Sequence, residues 1–266
     1  MLDLTGSIIQ SIPDCIGSLI HLRSLDLDGT DISYLPESIG CLINLKILNL
    51  QACGSLQSLP LGITRLCNLR RVGLHQTPIN KVPKGIGTLN FLNDLEGFPV
   101  GGAYDNSTRM QDGWKLEELV PLMHLRKLNM IKLERTSLGI TSALLKDKEF
   151  LKHLYLYCTE QIDETYYSEE DVVNIEKVFE QLIPPHNLEM LLISGFFGHR
   201  YPTWLATTHL SSMQSLHLIN CKSCEHLPPV GHIPNDQRFE LGESYCLFRS
   251  EITYPIANKF RSNLGD

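Results

Sequence analysis

Cys221 and Cys224 are the residues whose spacing comes closest to that of a chemical site. They form a Cys-x-x-Cys pair, and His217 and His226 lie near them in the sequence. A structural zinc site needs four ligands in tetrahedral geometry, and the chain contains no second Cys-x-x-Cys pair to supply them. A redox pair would need the strand-then-helix surroundings of thioredoxin-like proteins, which this segment does not have. The pair therefore predicts neither a metal site nor a redox centre, and no cofactor is expected.

The sequence also lacks the motifs that accompany nucleotide binding and hydrolysis. Residues 83–88 (PKGIGT) contain glycines but no Lys-Ser/Thr pair, so they cannot bind phosphate as a P-loop does. No Gly-x-Ser-x-Gly elbow, His-Glu-x-x-His helix or set of kinase motifs is present. Histidines such as His21, His124 and His153 stand singly beside leucines, a pattern more typical of surface or packing residues than of ligands. The sequence predicts that this chain is not an enzyme.

A leucine repeat organises most of the chain. The phrase HLRSLDL, which starts at His21, recurs as NLKILNL from Asn44 and as NLRRVGL from Asn68. The first leucines of the motif follow one another at steps of 23, 24 and 23 residues, at Leu22, Leu45, Leu69 and Leu92. Steps of about 20–29 residues are typical of leucine-rich repeats. The predicted fold class is α/β, a right-handed leucine-rich-repeat solenoid or horseshoe with a parallel concave sheet and about nine irregular repeats.

Each repeat consists of a strand half and a return half. Leu25 and Leu27 alternate with Asp26, so one face of the strand is apolar and the other is polar. The return half carries phrases such as LPESIGCL, whose proline keeps that segment from becoming another strand. No repeat buries its leucines alone, so stacked neighbours must supply the core. The predicted strands centre on Leu25, Leu48, Val72, Leu128, Leu154, Leu191 and Leu216.

The spacing divides the chain into a repeat domain at 1–230, with insertions at 101–115 and 158–186, and a divergent tail at 231–266. The first insertion is rich in glycine and polar residues, which predicts a loop. The second contains SEEDVVNIEKVFEQL, which predicts an amphipathic helix, capped by Ser168, on the outer side of the solenoid. The tail has no leucine motif that would predict a further strand.

Two smaller features of the repeat domain also carry predictions. Residues 95–100 (LEGFPV) break the simple alternation of apolar and polar residues, which predicts a bulge or a poorly formed strand. Trp204, in the phrase YPTWL, is expected to pack under the loop that leads into the next repeat.

The charge of the chain is concentrated in the second insertion. Residues 160–180 hold eight acidic residues against one lysine, a surplus equal to the net charge of −7 for the whole chain. The simpler interpretation is a solvated helix face, and the alternative is a docking patch for a basic partner. The chain has no basic stripe, and its predicted partners do not include nucleic acid. Without a signal peptide or an apolar run of about 18 residues, no membrane association is expected, and the predicted location is cytoplasmic.

Side chains that flank the inward leucines should form continuous rows on the concave face, because neighbouring strands lie about 4.8 Å apart. Aromatic residues and methionine gather there in the later repeats, as they do at the centres of protein interfaces. The predicted partner-binding residues are His153, Tyr155, Tyr157, Met190, Leu192 and His217. The alternative is that the acidic insertion folds over this patch and makes it part of the core.

Residues 25–98 and three later phrases carry a specific resemblance. The later phrases are LEELVPLMHLRKLNM, FEQLIPPHNLEMLLISGFFGHRYPTWL and LHLINCKSCEHLPPVG. In wording and order, from Met1 to about Gly231, the chain resembles the leucine-rich-repeat domain of plant nucleotide-binding leucine-rich-repeat disease-resistance proteins of the coiled-coil type. That resemblance implies an intracellular immune receptor whose repeats sense a pathogen effector or a guarded host protein and hold a nucleotide switch off. Nucleotide binding itself is not implied here, because the phosphate loop is missing from this chain.

Three functions are compatible with these features. The first is the protein-binding module of such a receptor, with an effector, a guarded host protein or an upstream nucleotide-binding domain as its partner. The second is a stand-alone cytosolic scaffold for a signalling enzyme, and the third is a truncated gene fragment without an independent function. The long insertions and the Pro-x-Trp phrase favour the first. An open reading frame upstream of Met1 that encodes a P-loop would decide between the first two.

Overall fold

The computed structural model describes residues 1–101, 104–105, 110–136, 144–159, 167–206, 210–221, 223–224 and 238–241. In chain order the strands are β1 Leu2–Asp3, β2 Ser24–Asp26, β3 Ile47–Asn49, β4 Arg71–Gly73, β5 Val82–Pro83, β6 Asp94–Pro99, β7 Tyr104–Asp105, β8 Met110–Gln111, β9 Lys127–Ile131, β10 His153–Tyr157, β11 Met190–Ser194, β12 Ser215–Ile219 and β13 Arg238–Leu241. The α-helix is α1 Glu169–Gln181. Short 3-10 helices span Asp14–Ser18, Glu37–Cys41, Leu61–Arg65, Ile86–Thr88, Leu116–Leu119, Leu133–Arg135 and Thr203–Ala206.

One parallel sheet contains ten of these strands, in the order β1-β2-β3-β4-β6-β9-β10-β11-β12-β13. Each strand pairs with the strand of the next repeat, and the inward leucines lie side by side, as Leu25 does with Leu48 and Leu154 with Leu191. The predicted parallel strands are therefore confirmed. Strand β13, which pairs with β12, was not predicted, because no leucine motif marks it.

The return halves are shaped by proline. Pro13, Pro36 and Pro60 each stand immediately before a 3-10 helix, with φ of −73°, −69° and −72°. A proline ring fixes φ near this value, so the chain enters each short helix in the same conformation. Ile16, Ile39 and Ile63, which lie in these short helices, are almost completely buried in the core with the strand leucines. The result is one continuous core along the stack.

Small side chains close the turns that follow β2, β3 and β4. Thr30 Oγ1 and Cys53 Sγ both donate to the carbonyl oxygen of Leu27, at 2.8 and 3.1 Å. Thr77 Oγ1 donates in the same way to the carbonyl of Leu50, at 2.5 Å. Burial raises the pKa of the Cys53 thiol, which keeps it in the neutral, hydrogen-bonding form. Cys53 is therefore a structural residue of the turn.

The first insertion was predicted to be a loop, but it contains two short strands. Strands β7 and β8 form an antiparallel pair, and β8 also pairs with β5, which makes a second, three-stranded sheet. Trp114 anchors this sheet, because its buried indole donates to the carbonyl oxygen of Pro83 at 2.9 Å and its ring packs against Phe98. The prediction was wrong because these strands are only two residues long, too short for an alternating pattern to appear in the sequence.

The second insertion contains the predicted helix. Ser168 Oγ accepts a hydrogen bond from the backbone N–H of Asp171, and the Asp171 carboxylate accepts one from the Ser168 N–H, which completes a capping box. The apolar face of α1 is buried, and the indole of Trp204 donates to the carbonyl oxygen of Phe179 at 2.9 Å. Trp204 is buried, as predicted, and it joins the helix to the following repeat.

Two acidic residues of α1 have a structural role. Glu176 accepts hydrogen bonds from the backbone N–H groups of His199 and Arg200, at 2.8 and 3.1 Å. Glu180 accepts one from the backbone N–H of Thr203 at 2.8 Å. These carboxylates therefore fix the loop that follows strand β11, and only part of the negative surplus is left for a partner.

Lys148 is a buried cation that supports the middle of the stack. Its side chain is 1% exposed, and Nζ donates to the carbonyl oxygens of Leu119, Leu122 and Val120 at 2.7, 3.1 and 3.4 Å. These carbonyls belong to the end of a 3-10 helix and the turn after it, and that of Leu119 also accepts from the Leu122 N–H. Burial lowers the pKa of this ammonium group to about 8, although Asp147 opposes the shift.

We expect Lys148→Met to lower the free energy of unfolding at pH 7 by roughly 1–3 kcal/mol, because it removes the donor to the buried carbonyl of Leu122. The difference in the free energy of unfolding between the native chain and this variant should then increase as the pH rises from about 8 to 10.5. In this pH range Lys148 is protonated in the unfolded chain and deprotonated in the folded chain. The unfolded state therefore binds more protons, and the stability of the native chain rises with pH. Urea unfolding of both chains at pH 7, 9 and 10 measures this. A difference that is constant with pH would contradict the shifted pKa.

Candidate partner-binding face

The six predicted binding residues come together on three neighbouring strands. His153, Tyr155 and Tyr157 alternate along β10 with the fully buried Leu154 and Leu156. In register with them lie Met190 and Leu192 on β11 and His217 on β12. All six side chains are half-buried, so they belong to the face opposite the leucine core and keep part of their surface accessible.

Helix α1 lies at the turns that follow the strands. It packs against Leu133–Arg135, which follows β9, and the ring of Phe179 lies 4.6 Å from that of Phe196, which follows β11. The six residues remain partly accessible beside this helix. Residues 160–166 of the same insertion lie outside the described part of the chain.

Tyr155 is held in place by its neighbours on both sides. Its hydroxyl donates to Met190 Sδ at 3.2 Å, and the ammonium of Lys127 lies 5.5 Å from the centre of its ring. A cation over an aromatic ring is attracted by the negative ring face. The tyrosine is therefore positioned before any partner arrives, so binding would cost little side-chain entropy.

Glu96 is a central residue of this face that the sequence analysis missed. In the parallel register it lies between Gly73 and Asn129, and its side chain is 10% exposed. Its two carboxylate oxygens bind Arg71 at 2.9 Å and Lys127 at 3.0 Å. No regular strand was predicted in this repeat, because residues 95–100 break the alternation of apolar and polar residues. The spacing of Leu92 and Leu95, repeated at Leu125 and Leu128, was the signal that could have found it.

Asp94 adds a second carboxylate beside this cluster. Burial raises its pKa, against the opposing effects of the nearby cations Arg71 and Lys127, while Glu96 raises it further. Carboxylates and cations thus alternate across β4, β6 and β9. The charges at the centre of the face largely compensate one another.

The irregularity in β6 is the predicted bulge, and it has a consequence for the face. The pairing with β9 shifts between Glu96 and Phe98, so Gly97 is the extra residue, at φ +89°. A Cβ at Gly97 would lie 2.7 Å from the carbonyl carbon of Leu74, which explains why glycine stands there. A shift of one residue moves a side chain to the other face of a sheet. Phe98 therefore lies in the core rather than on the concave face.

The space left by Phe98 forms a polar cleft. His75, on the turn after β4, reaches across β6, so that its Nδ1 lies 3.3 Å from Asn129 Nδ2 and its ring lies 6.2 Å from the ring of Tyr157. Burial raises the pKa of the Tyr157 hydroxyl, which keeps it in the neutral form. The cleft has a volume of about 180 Å³ and is lined by His75, Glu96, Lys127, Asn129, Tyr155 and Tyr157.

Cys221 and Cys224 are both buried in the segment that follows strand β12. Cys224 Sγ donates to the carbonyl oxygen of Gly198 at 3.2 Å, and Cys221 Sγ lies 3.5 Å from the carbonyl oxygen of Ile219. Burial raises the pKa of Tyr201, whose hydroxyl lies beside both thiols. His226 lies outside the described residues. Within the described part of the chain, no three His, Cys, Asp or Glu side chains are grouped so that they could hold a metal ion.

Comparison with known proteins agrees with this architecture. A family model described as "Leucine-rich repeat region" matches residues 1–242. This chain belongs to the leucine-rich-repeat family. The predicted fold class, an α/β solenoid with a parallel sheet, is confirmed, and members of this fold generally act as protein-interaction scaffolds.

The relatives of this leucine-rich-repeat chain include plant disease-resistance proteins. It is 33% identical over 130 residues to "Putative disease resistance protein RGA4" of Solanum bulbocastanum, across 48% of this chain and 13% of that protein. It is 32% identical over 128 residues to "Putative disease resistance RPP13-like protein 1" of Arabidopsis thaliana, across 46% of this chain and 12% of that protein. The predicted relationship to plant disease-resistance proteins is confirmed, and the match spans only a small part of their length.

Solved structures share the fold at low sequence identity. A leucine-rich-repeat protein of Leptospira interrogans matches 90% of this chain and 60% of its own, with a TM-score of 0.54 and 17% identity. The plant peptide hormone receptor RGFR1, solved in complex with RGF2, matches 86% of this chain and 34% of its own, with a TM-score of 0.50 and 18% identity. Among the described residues, no helix combines the length and the apolar character needed to cross a membrane.

Proposed function

We propose that this chain is the partner-recognition module of a plant intracellular immune receptor. It binds a pathogen effector or a guarded host protein through the concave face of its later repeats, and it helps to hold a nucleotide-binding switch off. This places it in the cytoplasm, as a protein-binding module without catalytic activity of its own. The disease-resistance relatives support the receptor class, and the leucine-rich-repeat fold supports binding rather than catalysis.

One observation carries the proposal for the binding face. Tyr155, Tyr157 and Met190 lie side by side and half-buried on neighbouring strands, next to the cleft over the β6 bulge. Large rigid side chains of this kind gain apolar contact with a partner at a small cost in conformational entropy. The compensated charges of Arg71, Glu96 and Lys127 lie beside these residues on β4, β6 and β9.

A split-luciferase assay in plant leaves tests this proposal. The chain is expressed with a panel of secreted pathogen proteins, with host proteins that those effectors target, and separately with the nucleotide-binding region of a related disease-resistance protein. We expect at least one effector or targeted host protein to give a signal that is lost in the double variant Tyr155→Ala/Tyr157→Ala. Signals that persist in this variant would place recognition elsewhere, and the absence of any signal would contradict the function.

The stand-alone scaffold is the second candidate function. The evenly spaced early repeats, with Pro13, Pro36 and Pro60 at the start of their 3-10 helices, favour it, because a stand-alone scaffold would have even repeats. A scaffold would bind an endogenous signalling enzyme and would give no signal with the nucleotide-binding region. The same assay therefore separates the two candidates.

A further inference from the structure

The floor of the cleft over the β6 bulge contains a buried polar atom without a partner. Asn129 is 5% exposed, and its Nδ2 donates to His75 Nδ1 at 3.3 Å. Within the described part of the chain, no donor lies within hydrogen-bonding distance of Asn129 Oδ1. A buried acceptor left in this state costs about 1–3 kcal/mol of stability. Asn129 also lines the cleft, so a donor from a ligand bound there would complete the hydrogen bonding of this side chain.

Donors and flat walls surround this acceptor. The ammonium of Lys127 has three N–H donors, and Glu96 Oε2 accepts from it at 3.0 Å, so it can also donate toward the cleft. The rings of Tyr155, Tyr157 and His75 form walls against which a planar group can stack. The cleft therefore offers one acceptor, at least one donor and flat apolar surfaces within about 180 Å³.

The charges around the cleft exclude ionised ligand groups. A carboxylate would place its lone pairs against those of Asn129 Oδ1 and beside the Glu96 carboxylate, which already binds Arg71 and Lys127. A guanidinium or ammonium would meet the ammonium of Lys127, which lines the cleft. A neutral primary amide avoids both conflicts, because its N–H donates to Asn129 Oδ1 and its carbonyl accepts from the Lys127 ammonium. The amide is also planar, as the walls require.

We infer that this cleft binds the carboxamide side chain of an asparagine or glutamine in the protein partner. A primary amide carries both the donor that Asn129 Oδ1 lacks and an acceptor for the Lys127 ammonium. The identity of the partner rests on the proposed function, while the amide chemistry of the cleft stands by itself. The bulge is the origin of the site, because it moves Phe98 into the core and leaves the cleft open.

Nuclear magnetic resonance titrations of the 15N-labelled chain test the inference with three small probes. The probes are N-acetylglutamine methylamide, N-acetylglutamate methylamide and N-acetylnorleucine methylamide, which share their backbone amides and differ in the side chain. We expect the signals of Asn129 Nδ2 and of the His75 and Tyr157 backbone amides to shift and saturate with the glutamine probe only. Equal shifts with all three probes would assign the cleft to backbone amides and overturn the inference, as would the absence of a saturable shift.

Two variants sharpen the test. Lys127→Met should weaken binding of the glutamine probe by about tenfold, because the hydrogen bond to a charged donor is lost. The matched control is Lys84→Met, an exposed lysine outside the cleft, which should leave binding unchanged. Asn129→Leu, with folding checked by thermal unfolding, should abolish the response at His75 and Tyr157. Binding that survives both Lys127→Met and Asn129→Leu would overturn the inference. Because none of these titrations uses a protein partner, their failure would leave the proposed function standing, and failure of the leaf assay would leave the amide site standing.

Discussion

Replacing Leu154 with alanine should lower the free energy of unfolding by about 2–5 kcal/mol. Leu154 is fully buried in β10, in register with Leu128 and Leu191 of the neighbouring strands. Truncation leaves a cavity that these packed neighbours cannot fill, and each repeat depends on the next for its core. The loss should therefore appear in the unfolding of the whole array.

Urea unfolding followed by tryptophan fluorescence measures this effect. Trp114 and Trp204 are both buried and belong to different repeats, so their emission reports on two parts of the stack. The matched control is Ile43→Ala, because Ile43 is 57% exposed and its truncation should change stability by no more than about 0.5 kcal/mol. A Leu154→Ala chain as stable as this control would show that the core is not continuous at β10.

Replacing Tyr155 or Tyr157 with alanine should have the opposite profile, a large loss of partner binding with little loss of stability. Both side chains are half-buried on the concave face, and truncation of an aromatic anchor at the centre of an interface typically costs about 2 kcal/mol or more, or roughly thirtyfold in affinity. The double variant should then abolish measurable binding. Affinities measured by surface plasmon resonance, with a partner from the leaf assay, give the comparison.

Tyr34→Ala is the matched control for these tyrosine variants. Tyr34 is 52% exposed and lies between β2 and the following 3-10 helix, away from the strands that carry the patch. We expect its truncation to leave affinity unchanged. If the concave tyrosine variants instead unfold as readily as Leu154→Ala, these residues belong to the core. Recognition would then have to be sought on the acidic insertion or on the polar side chains of the early repeats, such as Asp26 and Asp28.

The regular part of the fold was predictable because each strand repeats one physical pattern. Leu25, Leu48 and Leu154 stand at the same place in their motifs, and stacking the motifs places them side by side. Helix α1 was equally predictable, since Ser168 and Asp171 provide a capping box and the apolar residues recur at helical spacing. In both cases local pattern and tertiary packing agree.

The features that sequence reasoning missed depend on contacts between distant residues. The pair of strands β7 and β8 is held by the hydrogen bond from the Trp114 indole to the carbonyl oxygen of Pro83. The buried ammonium of Lys148 is held by hydrogen bonds to carbonyl oxygens of an earlier repeat. Neither contact leaves a local signal. The bulge in β6 was predicted from residues 95–100, but its register was not. Without that register, Glu96 could not be placed on the face, nor Phe98 in the core.

Hydroxyl-radical footprinting of the chain with and without its partner can locate the binding surface, because methionine and tyrosine are readily oxidised where they are accessible. We expect the partner to protect Met190, Tyr155 and Tyr157, while the exposed Met1 and Tyr34 are oxidised equally in both states. Unchanged oxidation of the three concave residues in the saturated complex would contradict the claim that this face is the partner-binding surface.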